Sequence, residues 1–204
     1  MKMSGIISMA ALALATPAIA REPAIHPAVT TDPAPDAANP ARMDAFVIPS
    51  GEGAMNAVMY VAAGSGVHPT LLLLHGFPGN EQNLDLAQAA RRAGWNVLTL
   101  HYRGSWGSPG IFSFINAAED AFNALLFLEE ASTVAKYRID TSAIVVAGHS
   151  MGGFMAAEAA AAEPRGGRAV QLDNRGPAPP RAARAPPQGG GGGGAGGGGG
   201  PPPP

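Results

Sequence analysis

Three observations predict an α/β fold with a mainly parallel sheet and flanking helices. The apolar runs Thr70–Leu74, Trp95–Leu100 and Ala143–Ala147 are continuous rather than alternating, the mark of strands covered on both faces. Each run gives way to turn residues: His75-Gly76-Phe77-Pro78-Gly79, the Gly- and Ser-rich stretch Arg103–Gly110, and Gly148-His149-Ser150-Met151-Gly152. Behind each turn lies a stretch with helical spacing of apolar residues. Ligand sites in such folds lie at the carboxyl ends of the parallel strands.

The elements follow in order. Ala45–Ile48 and Ala57–Val61 flank Pro49-Ser50-Gly51 and predict a β-hairpin at a sheet edge. After the Thr70–Leu74 strand, Asn80 is the expected cap of a helix carrying Leu84, Leu86, Ala87, Ala90 and Ala93 and ending at Gly94. A second helix is expected from about Phe114 to Glu130, with Ala118, Phe122, Leu125, Leu126 and Leu128 as its apolar face. The third buried strand runs into Gly148–Gly153 and an alanine-rich helix that Pro164 stops.

The two ends differ from this core. Lys2, the apolar run Ile6–Ala15 and Ala18-Ile19-Ala20 have the order of a secretory signal cleaved near Ala20. The run is too short to span a bilayer, so the expected location is secreted or periplasmic, without a stable membrane span after cleavage. Residues 21–42 hold five prolines among small and polar residues and predict an extended leader that acts as a spacer. Residues 43–164 form the expected folded domain. From Arg165 to Pro204 the chain is almost all Gly, Pro, Arg and Ala, a low-complexity composition that buries too little apolar surface to order itself. Residues 21–164 carry seven Lys and Arg against fourteen Asp and Glu, whereas residues 165–204 carry five Arg against one Asp. Gly, Pro, Arg and Ala have the codons richest in G and C, so a shifted reading frame accounts for this stretch better than a genuine tail. No basic face points to a nucleic-acid partner. The absence of cysteine excludes disulfides, thiolate metal sites and a cysteine nucleophile. No ligand-spaced His, Asp and Glu cluster and no phosphate-binding loop implies a metal or organic cofactor.

Gly148-x-Ser150-x-Gly152, set between a buried strand and a helix, carries the chemistry. A sharp turn there strains the serine backbone and exposes its hydroxyl, and the small flanking residues let helix and strand pass closely. Ser150 is therefore the candidate nucleophile; a tight turn without chemistry is the alternative. Gly76, after the first parallel strand, lets the backbone bend so that the Phe77 N–H joins the Met151 N–H as an oxyanion hole. His75 is expected to brace this loop, and His149 to pack locally and point away from the reaction. Phe112, Phe114 and Trp106 are candidates for an apolar acyl pocket or for simple packing.

The segments HGFPGN, HYRGSWGSPG, the helix bearing Asp120 and RIDTSAIVVAGHSMGG, in that order, resemble the α/β-hydrolase superfamily. Tyr137–Gly153 is similar to its esterase and prolyl-oligopeptidase-like branches. The resemblance covers about residues 45–164, strands one to five of the family's eight, and so implies a truncated α/β-hydrolase fold. His101 departs from the acidic residue that many relatives carry there. Ser150 argues against the dehalogenase branch, which uses an aspartate nucleophile. The resemblance implies a triad in the order serine, acid, histidine. The five histidines, at 26, 68, 75, 101 and 149, all precede Ser150. Glu158 and Glu163 lie on the helix after the turn, and Asp173 comes before the family's acid position, so the triad acid is unknown and no residue serves as its base.

The expected function is a serine hydrolase acting on an ester, thioester or amide of a small-molecule or peptide acyl substrate. Without a base the hydroxyl is a weak nucleophile, and Ala143–Ala147, lacking neighbours, would form an exposed sheet edge. The polypeptide is expected to be poorly soluble and essentially inactive. The alternative is a non-catalytic pseudoenzyme or binding module for a small ligand or partner.

Overall fold

The leucine run sits at the centre of the sheet. In the computed structural model, which describes residues 24–162 and the strand Arg168–Leu172, the strand β3 (His68–Leu74) turns Leu72 and Leu74 to one apolar layer and Leu71 and Leu73 to the other. Period-two alternation thus buries every side chain of the run, each worth about 1.5–3 kcal/mol. The first layer packs under α2 (Phe114–Glu129) and α4 (Met151–Ala162), the second under α1 (Leu84–Arg92). Small residues on the inner faces, Ala117, Ala121 and Ala124 of α2 and Ala156 and Ala159 of α4, are buried between helix and sheet.

The remaining strands are β1 (Arg42–Ser50), β2 (Gly53–Val61), β4 (Asn96–His101), β5 (Ile139–His149) and β6 (Arg168–Leu172). Their order in the sheet is β1-β2-β4-β3-β5-β6. The hairpin β1–β2 and the pair β2–β4 are antiparallel; β4, β3, β5 and β6 are parallel. Ser50 faces Gly53 across a two-residue turn, in which Gly51 takes φ +52, the conformation a tight hairpin requires.

The structure corrects several expectations. The five strands expected over about residues 45–164 are present, and a sixth, β6, pairs with β5 from Val145↔Arg168 to His149↔Leu172. Ala143–Ala147 is therefore not an edge, and the stretch expected to be disordered from Arg165 contains a strand. Val170 and Leu172 supply the β-compatible residues among alanine and arginine that make this strand possible. Asn80 does not cap α1. The helix begins after Asn83, which sits at φ +53 with its N–H donated to Glu81 Oε1 at 2.6 Å. The helix expected from about Phe114 to Glu130 is present as Phe114–Glu129, and a further helix not expected, α3 (Ala131–Tyr137), follows after Glu130 turns extended.

The leader is not a free spacer over its described part. Pro27–Val29 forms a 3-10 turn with Ala28 buried. Asp32 accepts from Arg92 Nε at 3.0 Å and Arg91 Nη2 at 3.2 Å, and Arg92 also reaches the carbonyls of Ala28 and Val29. The last turn of α1 thus holds the leader. The signal segment 1–20, Glu163, Pro164, Asp173 and the Gly- and Pro-rich residues lie outside the described residues. Among the described residues no helix is long and apolar enough to cross a membrane.

Candidate active site

Two neighbouring parallel strands build the site from their carboxyl ends. Leu74 of β3 pairs with Gly148 of β5, so the residues that follow each strand emerge side by side. Beyond β5 the chain reverses in one residue: Ser150 lies at φ +55, exposed, and Met151 begins α4. A left-handed backbone is costly for a residue with a β-carbon and persists only where the surroundings enforce it. The enforcement is the close approach of α4 to both strands. A β-carbon on Gly148 would lie 2.2 Å from the Gly152 carbonyl, and one on Gly152 2.2 Å from the Leu74 oxygen.

Beyond β3, Gly76 approaches Ser150 so closely that a β-carbon on it would stand 3.0 Å from both Ser150 Cβ and the His149 oxygen. Phe77 follows immediately and is exposed. At the start of α4, the N–H groups of Gly153 and Phe154 point back to the Ser150 carbonyl at 3.0 and 3.4 Å. The first amides of a helix have no intrahelical partner, and the helix dipole favours negative charge there. Met151 N–H belongs to this group, and Met151 itself is buried.

The loop after β3 is held from behind. His75 is buried, and its Nδ1–H donates to the Gly76 carbonyl at 2.7 Å. Tyr102 packs edge-on to the His75 ring at 4.7 Å and donates its hydroxyl to the His75 carbonyl at 3.3 Å. Trp106 Nε1–H donates to the Pro78 carbonyl at 2.5 Å, and Gly79, at φ +96, makes room for the Trp106 and His75 rings. His101 stands 5.3 Å from His75, ring to ring, with Nε2 3.2 Å from the Gln82 amide. Burial pushes the His75 imidazole below its ordinary value, against the upward pull of the Gly76 carbonyl, and His101 adds to the fall. Burial does the same to His101.

Both rings are therefore neutral in the folded protein and take up protons more readily once unfolded. The unfolded chain binds the extra protons, so stability is complete above the ordinary histidine value and falls as pH drops below it. Thermal melts between pH 7.5 and 5 should show Tm declining below about pH 6.5. His75→Asn, whose amide nitrogen mimics Nδ1, should flatten this decline; an unchanged slope would remove His75 from it.

A second polar cluster lies under the loop that follows β4. Asp120, fully buried on α2, accepts from Ser50 Oγ at 2.5 Å, Arg103 Nε at 2.7 Å and Arg103 N–H at 2.8 Å. Glu119 takes Arg103 Nη2 at 2.6 Å, and Asn123 donates to Ser50 Oγ at 2.8 Å. Burial opposes the Arg103 charge, but the two carboxylates outweigh it and hold the guanidinium above its ordinary value. Sequence reasoning gave this cluster no role. Its signal was available: one carboxylate at position 120 on a face otherwise made of Ala117, Ala121, Ala124, Leu125 and Leu128.

The structure thus brings Ser150, Gly76, Gly148 and Gly152 together and sets Phe77 and Met151 on the two segments that converge on Ser150. His149 does not turn from this loop: its Nδ1 lies 3.4 Å from the point a Gly76 β-carbon would occupy. Glu158 is exposed on α4. Among the described residues no group of three or more His, Cys, Asp or Glu is placed to hold a metal ion.

Comparison with known proteins follows the same lines. No curated protein matches the chain in sequence. Among solved structures, the carboxylesterase EstE1, cloned from a metagenomic library, is 26% identical with TM-score 0.50, over 60% of this chain and 42% of its own. An esterase from Pyrobaculum calidifontis is 28% identical with TM-score 0.50, over 63% of this chain and 42% of its own. The α/β hydrolase GrgF from Penicillium sp. sh18, at 22% identity and TM-score 0.53 over 65% of this chain and 45% of its own, shares the fold. The chain spans less than half the length of each of these proteins. The sequence model of the alpha/beta hydrolase fold matches residues 69–184, more than half of the chain, and the chain belongs to that family.

Proposed function

We propose that this chain carries the nucleophile and oxyanion half of a serine hydrolase site, with Ser150 attacking the carbonyl of an ester, thioester or amide. The observation that carries the proposal is the exposed Ser150 at φ +55, directly before α4 and against Gly76. Ser150 Oγ bonds to the acyl carbon, and the carbonyl oxygen gathers negative charge beside the N–H groups of Phe77 and Met151. As the bond to the leaving group breaks, the proton lost by the Ser150 hydroxyl ends on the departing alcohol, thiol or amine, and water then cleaves the acyl–Ser150 bond, giving the acid and returning the hydroxyl proton. Each oxyanion donor is worth about 10²–10³ in rate. The esterases among the similar structures favour an ester. The signal-like first twenty residues favour action outside the cytoplasm.

Proton transfer is the weak step. Ser150 needs a base beside it, and His75, whose Nδ1–H donates to Gly76 and whose Nε2 is buried without a hydrogen-bond partner, makes no hydrogen bond to Ser150. Without a base, such sites retain about 10³–10⁴-fold acceleration over water. The second reading is a binding module that keeps the pocket and not the turnover.

Purified protein treated with a fluorophosphonate should be labelled slowly, and at Ser150 alone, as read by peptide mass; Ser150→Ala should abolish the label. Labelling within minutes would show that a base is present after all. Absence of any label on Ser150 would leave the binding module.

A further inference from the structure

The face of the sheet that carries α1 is not covered to its end. Directly paired residues of neighbouring strands share a face. Val47, Asn56 and His101 therefore form one row across β1, β2 and β4, and Ala45, Val58 and Thr99 form the next. The third row, Met43, Tyr60 and Val97, lies under α1. Tyr60 and Val97 are buried in its layer, and Gln88 of the helix reaches Met43 Sδ at 3.9 Å. The first two rows instead floor a cavity of about 370 Å³, and Gln82, just before α1, joins its wall.

The two ends of this cavity differ. At the first row Gln82 donates its amide N–H to His101 Nε2 at 3.2 Å, and Asn56 stands directly opposite His101. The Gln82 carbonyl oxygen and the Asn56 side-chain amide have no hydrogen-bond partner among the described residues. That end therefore offers an acceptor and a donor near each other. At the second row Ala45 and Val58 are apolar, and among the described residues no charged side chain lines the cavity.

The dimensions restrict the occupant. Two rows span about 7 Å along the strands, and three strands span about 10 Å across them. A helix with its side chains is about 10–12 Å thick, too wide for a floor bounded by α1 and Gln82. Spread over that floor, the cavity is about 5 Å deep, enough for one flat ring. Its volume lies at the small end of the range for ligand pockets, about 300–1,000 Å³.

We propose that this cavity binds a small, flat, uncharged aromatic molecule that carries one hydroxyl. The ring lies on Ala45, Val47 and Val58, and the hydroxyl donates to Gln82 Oε1 and accepts from the Asn56 amide. A charged analogue is excluded because nothing in the cavity offsets its desolvation. The site is separate from Ser150: β3 lies between β4, its last strand, and β5, which leads to Ser150. The inference therefore goes beyond the hydrolase reading and does not depend on it.

The test titrates the full chain with phenol, read by ligand-observed NMR. Phenol should bind saturably, and benzoate at least about tenfold more weakly. Gln82→Ala should cut phenol affinity about fivefold. Ala45→Trp, which fills the cavity from an exposed position, should abolish binding; Val47→Trp serves instead if Ala45→Trp does not melt with the parent. Phenol should also shift the His101 ring signals, since Gln82 is bonded to that ring. Absence of saturable binding overturns the site, as does equal affinity for benzoate or phenol binding that survives the tryptophan variants. So does concentration-dependent dimerisation that Ala45→Trp abolishes while phenol does not bind, since the two rows would then be an interface between copies. Fluorophosphonate labelling of Ser150 enters none of these readings, so loss of the hydrolase function leaves the phenol result standing, and the reverse holds.

Discussion

Asp120→Ala should destabilise the protein by about 3–5 kcal/mol, against a total of about 5–15 kcal/mol for a domain of this kind. The carboxylate is fully buried and receives three hydrogen bonds, two of them from Arg103. Its removal leaves the Arg103 backbone N–H and the Ser50 hydroxyl without their acceptor, and a guanidinium only 6% exposed with Glu119 as its remaining charged partner. An uncompensated buried charge costs more than the pair ever contributed. Glu119 is half exposed and offsets part of the loss, so the lower end of the range is expected. Urea unfolding monitored by circular dichroism gives the value, and a loss under 1 kcal/mol would show the cluster to be ornamental. Replacing both partners, with Arg103→Met and Asp120→Leu together, should recover much of the stability, because no charge is then left in the apolar layer. The effect should also reach the candidate site. Arg103 opens the loop that carries Trp106, and Trp106 holds the Pro78 carbonyl, so Asp120→Ala should slow labelling of Ser150 even in the fraction that remains folded.

The parts of the fold that were legible in the sequence are those where one physical requirement dominates. Leu71–Leu74 and Ala143–Ala147 are continuous apolar runs because both faces of an interior parallel strand are covered, and both strands lie inside the sheet with neighbours on either side. The turn at Ser150 was legible because a one-residue reversal into a helix demands small neighbours, and Gly148 and Gly152 have no space for a β-carbon. The misreadings fall where local signals compete. Asn80 has a good capping side chain, but α1 starts only after Asn83, whose left-handed backbone makes the turn and whose side chain makes no capping hydrogen bond. The α2 helix stops where Glu130 turns extended, and Ala131–Tyr137, a stretch the sequence left unassigned, starts again as a separate short helix.

Two other features were hidden for a different reason: they depend on partners distant in the chain. Ala169–Leu172 reads from the sequence only as a possible start of a further strand inside a low-complexity stretch, and it is the pairing with β5 that makes it one. The described leader is polar and proline-rich, yet Asp32 is held by Arg91 and Arg92 about sixty residues away. The same holds for the supports of the candidate site. The sequence offered Ser150 and its glycines as a local motif, but the hydrogen bonds of His75, Gln82 and Trp106 become visible only when the loops after β3 and β4 are brought together.

Gly152→Ala should be among the most damaging one-carbon changes in the protein. The added methyl would stand 2.2 Å from the Leu74 oxygen, 2.6 Å from the His75 oxygen and 2.7 Å from the Leu74 carbon, and all three are main-chain atoms that no rotamer change can move aside. Relief requires α4 to withdraw from the end of β3, and that withdrawal breaks the packing of Met155, Ala156 and Ala159 on the sheet. The expected cost is about 3 kcal/mol or more, at the upper end of what overpacking a core does. Gly148→Ala meets the Gly152 carbonyl from the opposite side at the same 2.2 Å and should behave alike. Gly66→Ala is the control, since nothing lies within 4 Å of its β-carbon position, and it should leave Tm unchanged. Because the approach of Gly76 to Ser150 depends on the same seating of α4, both damaging variants should also lose fluorophosphonate labelling at temperatures where they remain folded. If Gly152→Ala melts with the parent and labels at its rate, then α4 does not seat on β3 as closely as 2.2 Å requires, and the backbone strain at Ser150 has some other source.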